Sequence, residues 1–218
     1  MKEASKSLNI SMYLIMAIPF IYLATVWKDL PETIAIHFNA SGEADGFGSK
    51  NTLIYTLLLL ILGVFLLFKV IPIIDPKKRI QQMGDSYQKV QFFVLALMSA
   101  ISTFLIYTAA SGGNSNNSIL FAMMGFFFIA LGNYMPTFKP NYFVGIRTPW
   151  TLESETNWRK THRLGGKIFM IAGVIITLFS LLLDNEQAFI AMMTVIMLMV
   201  VILFGFSYLE YRRMEGES

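Results

Sequence analysis

The chain contains two histidines, and each has neighbours that could do chemistry. His37 stands in "IHFNASGEADG", followed by Glu43 and Asp45. An imidazole and two carboxylates can ligate a divalent cation or form an acid–base set. Their spacing matches no zinc or calcium motif, so no metal site is expected. His162 stands in "GIRTPWTLESETNWRKTHRLGGK" (residues 145–167), among two tryptophans, two glutamates and five Lys or Arg residues. A general base is a possible role for it, but no Ser, Cys or Asp partner lies at a telling spacing, and no catalytic residue is assigned. Walker, Rossmann, HExxH and GxSxG patterns are absent, so no cofactor is expected and no enzyme class with such a signature is supported. An enzyme acting on lipid or peptide through His37 or His162 stays as the minor alternative. With no cysteine in the chain, disulfides and thiolate metal sites are excluded.

Both groups lie between apolar runs that must position them. The chain is 55% hydrophobic and 14% charged, against about 25% charged in a soluble domain. Lipid is the implied solvent. Six apolar segments are evident, at Ile10–Trp27, Thr52–Ile74, Val90–Ala110, Ile119–Phe138, Ile168–Leu183 and Ala188–Leu209. A spanning helix needs about 17–25 residues, which the fifth reaches if it begins near Gly165. Backbone groups in lipid must be satisfied within their own element, so these segments are helices. The first has no small-residue cleavage site and contains Pro19, unlike a signal peptide. The expected fold is an all-α membrane protein with six transmembrane helices in three antiparallel hairpins. The turns "SGGNSNN" (111–117) and "DNEQ" (184–187) are short enough to force neighbouring helices. Two units are expected: residues 1–75, a hairpin with its outer loop, and residues 76–218, a four-helix region.

Fifteen of the 17 Lys and Arg residues fall at the N-terminus, around 69–89, in 139–167 and in the tail, while only Lys28 and Lys50 fall on the other side. The positive-inside rule puts both termini and the 139–167 loop in the cytoplasm. The basic balance then belongs to the anionic inner leaflet, and no direct nucleic-acid partner is expected.

The longer outer loop covers residues 28–51. Ile34, Ile36 and Phe38 alternate with polar or small residues, which predicts a strand, whereas "NASGEADGFG" predicts a turn with little regular structure. One reading is a compact polar loop. The other is a surface for a ligand from outside, including a peptide joining by strand addition, with His37, Phe38, Asn39, Glu43 and Asp45 as candidate ligand-binding residues.

In the inner loop, Pro136 and Pro140 should stop or kink the fourth helix, and Arg147 and Trp150 should sit at headgroup depth. Residues 152–163 are expected as a short helix along the membrane surface, with a Glu155–Arg159 pair and a stripe of Glu155, Trp158, His162, Gly165 and Phe169. Gly165-Gly166 should bend the chain into the fifth span. Arg147, Trp150, Glu155, Trp158, Arg159, His162 and Arg163 are the candidate partner-binding residues. Asn133 is the candidate polar contact between helices inside the membrane. Gly125 and Gly132 allow close helix packing, within the chain or between copies. No Asp, Glu, His or Arg lies mid-span, which argues against ion-coupled transport. A passive transporter or lipid-handling protein remains the main alternative.

Two segments resemble a known family. "IAIHFNASGEADGFGSK" (34–50) is similar to a small N-terminal domain of unknown function in bacterial membrane proteins. "GNYMPTFKPNYFVGIRTPWTLESETNWRKTHRLGGKIF" (132–169) resembles the hallmark of the SdpI-type immunity protein family. The matching positions are His37, Phe38, Gly42, Asp45 and Gly46, then Gly145, Arg147, Thr148, Pro149, Trp150, Trp158, His162, Gly165 and Gly166. The resemblance implies a multi-pass protein of the bacterial plasma membrane. It further implies protection against a secreted peptide toxin, with sensing passed to a cytoplasmic transcriptional repressor held at the membrane.

Overall fold

The computed structural model describes residues 2–39, 41, 43–113 and 116–216, with side chains from residue 7 onward. Gly42 and the centre of the 111–117 turn lie outside the described residues. Six stretches are long and apolar enough to cross a membrane, at 7–26, 51–74, 85–110, 118–137, 155–182 and 185–216. The first is α1 (Lys2–Val26). The second is α2 (Asn51–Leu57), a π-helical stretch Leu58–Gly63 and α3 (Val64–Ile74). A short α4 (Arg79–Met83) precedes α5 (Asp85–Ala110) and α6 (Ser118–Tyr134). After a turn of 3-10 helix at Met135–Thr137 come α7 (Pro149–Glu153), α8 (Glu155–Leu182) and α9 (Asn185–Gly216).

The segment expected as an irregular turn is instead a second strand. β1 (Thr33–Phe38) and β2 (Ala44–Ser49) form an antiparallel hairpin, with register irregularities at Ile36 and Asp45. Glycine suits β2 because of what faces it. A Cβ at Gly46 would stand 2.9 Å from that of His37, and one at Gly48 would stand 3.0 Å from Ile36 Cδ1. The opposing strand occupies the space that side chains on β2 would need.

The helices alternate in direction, and contacts tie each end together. At one end the β-hairpin meets the α5–α6 turn, where Gly113 lies beside Ala35, and Ser118 on α6 bonds Asn185 on α9 at 3.4 Å. At the other end Thr137 bonds Ser86 at 3.0 Å, and Arg79 reaches the Pro140 carbonyl at 3.5 Å. Packing order departs from simple hairpin pairs. α1 packs chiefly on α5, and α6 chiefly on α8. The apolar cluster around α1 and the second span includes Leu95, Ile106 and Ala109 of α5, so one core runs across position 75.

The α6–α8 contact explains the glycines. A Cβ at Gly132 would stand 2.6 Å from the Gly166 carbonyl oxygen, and one at Gly173 would stand 2.4 Å from the Gly125 oxygen. The pairs Gly125–Gly173 and Gly132–Gly166 therefore let two antiparallel backbones touch within one chain. Gly165-Gly166 is accordingly no bend. α8 runs unbroken from Glu155 to Leu182, and the separate surface helix expected at 152–163 is its first turns. Small side chains here serve close approach, and the surrounding contacts keep them helical.

Candidate functional site

The hallmark loop is built from residues that satisfy backbone groups in an apolar setting. α6 ends at Tyr134 because Pro136 brings no N–H to the helical ladder. The returning segment has no regular structure, so its polar groups need side-chain partners. Asn141, 1% exposed, supplies four. Its Oδ1 accepts the amides of Phe143 (2.8 Å) and Val144 (2.7 Å). Its Nδ2 donates to the carbonyls of Lys139 (2.8 Å) and Val144 (3.0 Å). Thr148 caps α7 in a box with Thr151, and Ser154 caps α8 by accepting the Asn157 amide at 3.2 Å.

Trp158 and His162 clip this loop to α8. The Trp158 indole N–H donates to the Phe138 carbonyl at 2.8 Å, and its ring stacks on His162 with centroids 4.0 Å apart. His162 Nδ1 lies 2.9 Å from the Trp158 carbonyl, so that nitrogen carries the hydrogen and donates. Nε2 is then free to accept the Ile146 amide, at 3.0 Å. Both ring nitrogens are committed to backbone, which leaves no lone pair to take a substrate proton. Gly145 makes the approach possible. It has φ +109°, and a Cβ there would stand 2.4 Å from His162 Nε2.

α8 is fastened to α9 on its other side. Asn157 Nδ2 donates to the Ser207 carbonyl at 2.8 Å, while its Oδ1 accepts from Thr161 at 2.9 Å. Lys160 forms an ion pair with Glu210, a buried carboxylate. Trp150 packs edge-on against Phe204 and tilted against Tyr208, each 5.0 Å away.

The seven inner-loop candidates therefore divide. Trp158 and His162 are core residues and are not available to a partner, since the stripe assigned to the membrane surface faces inward from Trp158 onward. Trp150 is half-buried against α9. Arg147, Glu155, Arg159 and Arg163 are exposed. Arg147 donates to the Tyr142 carbonyl at 2.5 Å. Glu155 turns towards Arg79, 4.0 Å away, rather than to Arg159. Asn133 does not bridge helices, for it is exposed on the outer face of α6, one residue from the helix end. Among the described residues, the buried polar side chains within the spans belong to α5 (Gln91, Ser99, Ser102 and Thr108), α8 and α9, and none to α6.

The outer-loop candidates gather on the hairpin. His37 Nδ1 lies 2.5 Å from Asp45 Oδ1, in an exposed pair. Asn39 accepts the Glu43 amide on its Oδ1 at 2.9 Å and donates to the Glu43 carboxylate at 3.2 Å, closing the tip. Phe38 is half-buried opposite Ala44. Beside the hairpin is a cleft of about 450 Å³ lined by Thr33, Ala35, Glu43, Phe47 and Gly113 among others. Phe47 is 65% exposed at its rim. The two candidate groups thus occupy opposite ends of the bundle.

Several positioning residues went unread in the sequence. Asn141 had a usable signal, because Asn after Pro favours a turn closed by its own side chain. Asn157 and Glu210 had none, since their partners Ser207 and Lys160 lie 50 residues away along the chain.

Residues 137–207 match the SdpI/YfhL protein family, and residues 14–62 match a domain of unknown function, DUF1648. The chain is 28% identical over 211 residues to the immunity protein SdpI of Bacillus subtilis (strain 168), covering 95% of this chain and 98% of that protein. No solved structure matches. The resemblance to the SdpI-type family is borne out, with the N-terminal domain in its expected place. With its six apolar helices, the chain is a multi-pass bacterial membrane protein.

Proposed function

We propose that this protein gives its cell immunity to a secreted peptide toxin, acting from within the plasma membrane. One observation carries the reading. The similarity to an immunity protein runs nearly end to end, through the hairpin as well as the hallmark loop, at 95% coverage of this chain. The excess of Lys and Arg around the hallmark loop argues for a cytoplasmic location there, with the β-hairpin outside. The hairpin then meets the toxin. Among the described residues its sheet has two strands, so each strand keeps an edge to which an extended peptide can add, and the cleft lined by Phe47 offers an apolar pocket beside it. His37, Phe38, Asn39, Glu43 and Asp45 contribute the polar tip of that surface. On the inner side, exposed Arg147, Glu155 and Arg159 form the surface for a cytoplasmic repressor.

Expression of the chain in a toxin-sensitive strain tests the reading. Survival in the presence of a secreted peptide toxin that kills the strain should rise by at least about tenfold, about 1.4 kcal/mol if read as an equilibrium of toxin occupancy. Unchanged survival with the protein present in the membrane overturns the proposal.

A further inference from the structure

The outer face of the α6–α8 pair carries a pattern that toxin binding at the hairpin does not use. Gly132 and Gly166 touch at one level, and so do Gly125 and Gly173. In two antiparallel right-handed helices, the residue after each contact leaves the seam on the same side, because a two-fold axis through the contact keeps that side fixed. The residues that follow the first pair are Asn133 and Lys167, and those that follow the second are Phe126 and Val174. All four are exposed. The same side of α8 continues upward to Arg163 and Arg159 and downward to Leu181, which is 71% exposed. Ala122, Phe126 and Leu181 line a cavity of about 370 Å³ at the far end. From one end to the other this face is cationic, then amide, then apolar.

The cations are unpaired. Lys160 has Glu210, Lys50 has Glu32 and Arg79 has Glu155, but among the described residues Arg159, Arg163 and Lys167 form no ion pair. An acidic protein would match the charges and leave the continuous apolar strip beneath them unused. A ligand with an anionic head and long apolar tails matches both. Lys167 to Leu181 is about 21 Å along the helix axis, longer than one hydrocarbon leaflet of about 15 Å.

We infer that this face is a binding site for an anionic phospholipid. Arg163, Lys167 and Asn133 hold the headgroup phosphate, and an acyl chain lies over Phe126 and Val174 towards the cavity at Leu181. Arginine and lysine near a span end suit this role, since their stems lie along apolar surface while the heads reach the phosphate. Asn133, exposed to lipid with no helix partner, gains a reason to be polar.

The test uses the full chain purified in detergent, with added phosphatidylglycerol or phosphatidylcholine of identical acyl chains. Thermal midpoints and bound lipid in native mass spectra are the readouts. Phosphatidylglycerol should raise the midpoint by about 2–4 °C more than phosphatidylcholine does. R163Q/K167Q should lose that difference. K77Q/K78Q, which removes equal charge from the same end of the bundle, should keep it. Three results would each overturn the site: R163Q/K167Q keeping the full difference, K77Q/K78Q losing as much, or glycerol phosphate without acyl chains matching phosphatidylglycerol.

Discussion

Gly145, His162 and Trp158 depend on one another at the scale of single residues. The left-handed backbone at Gly145 lets Ile146 present its amide to His162 Nε2, and the proton on Nδ1 is fixed by the Trp158 carbonyl. G145A adds strain at φ +109° and drives a methyl group into the imidazole, so it should cost about 2–4 kcal/mol through strain and the lost hydrogen bond. A fall in thermal midpoint in detergent would register it, and an unchanged midpoint would contradict the clip. The importance of Trp158 and His162 was legible in the sequence, but their direction was not. In water, an apolar stripe on a helix identifies the buried side. Opposite that stripe α8 carries exposed Arg159, Lys160, Arg163 and Lys167, and a helix lying on the membrane would show the same two sides, so amphipathicity alone does not separate a core stripe from a lipid-facing one. Asn133 was misread for a related reason, as polarity inside a span suggested a partner helix where the structure has an exposed surface.

At the scale of elements, the six spans were readable because lipid demands length and apolarity together. Their ends were readable where Pro136 or a cap residue marks them. The β-hairpin was half legible, since β1 has an alternating pattern and β2 owes its strand to the partner opposite glycines. The seam between α6 and α8 separates two kinds of glycine. G166L would force a side chain against the Gly132 carbonyl, where a Cβ already stands at 2.7 Å, and should prevent α6 and α8 from packing. G205L on α9 has nothing within 4 Å of its Cβ and should be tolerated. A cysteine pair engineered across the α6–α8 contact would report this, with cross-linking lost in G166L and kept in G205L.

For the whole molecule, charge distribution makes a statement about sidedness that the absence of native cysteine allows to be measured cleanly. In intact cells, E43C on the hairpin should react with a membrane-impermeant maleimide, whereas K139C should react only after permeabilisation. The opposite labelling would invert the proposed orientation and remove the hairpin from the toxin's side. Which helices touch was not readable in advance. Short turns bring successive spans near one another, yet α1 lies chiefly on α5 and α6 on α8. The α6–α8 choice follows from glycines meeting across the chain and the α1–α5 choice from a shared apolar cluster, relations between distant positions that local pattern does not contain.

The two hydrogen bonds that join Phe138 and Ile146 to α8 also have a mechanical meaning. They make the loop and the helix a single lever about 42 Å long, reaching from the short α8–α9 turn to the opposite end of the bundle. A load applied to that turn is absorbed in the loop only if one of these hydrogen bonds breaks. It reaches Arg147 and Arg159 as tilt or rotation of one stiff body, with the glycine seam against α6 as its bearing.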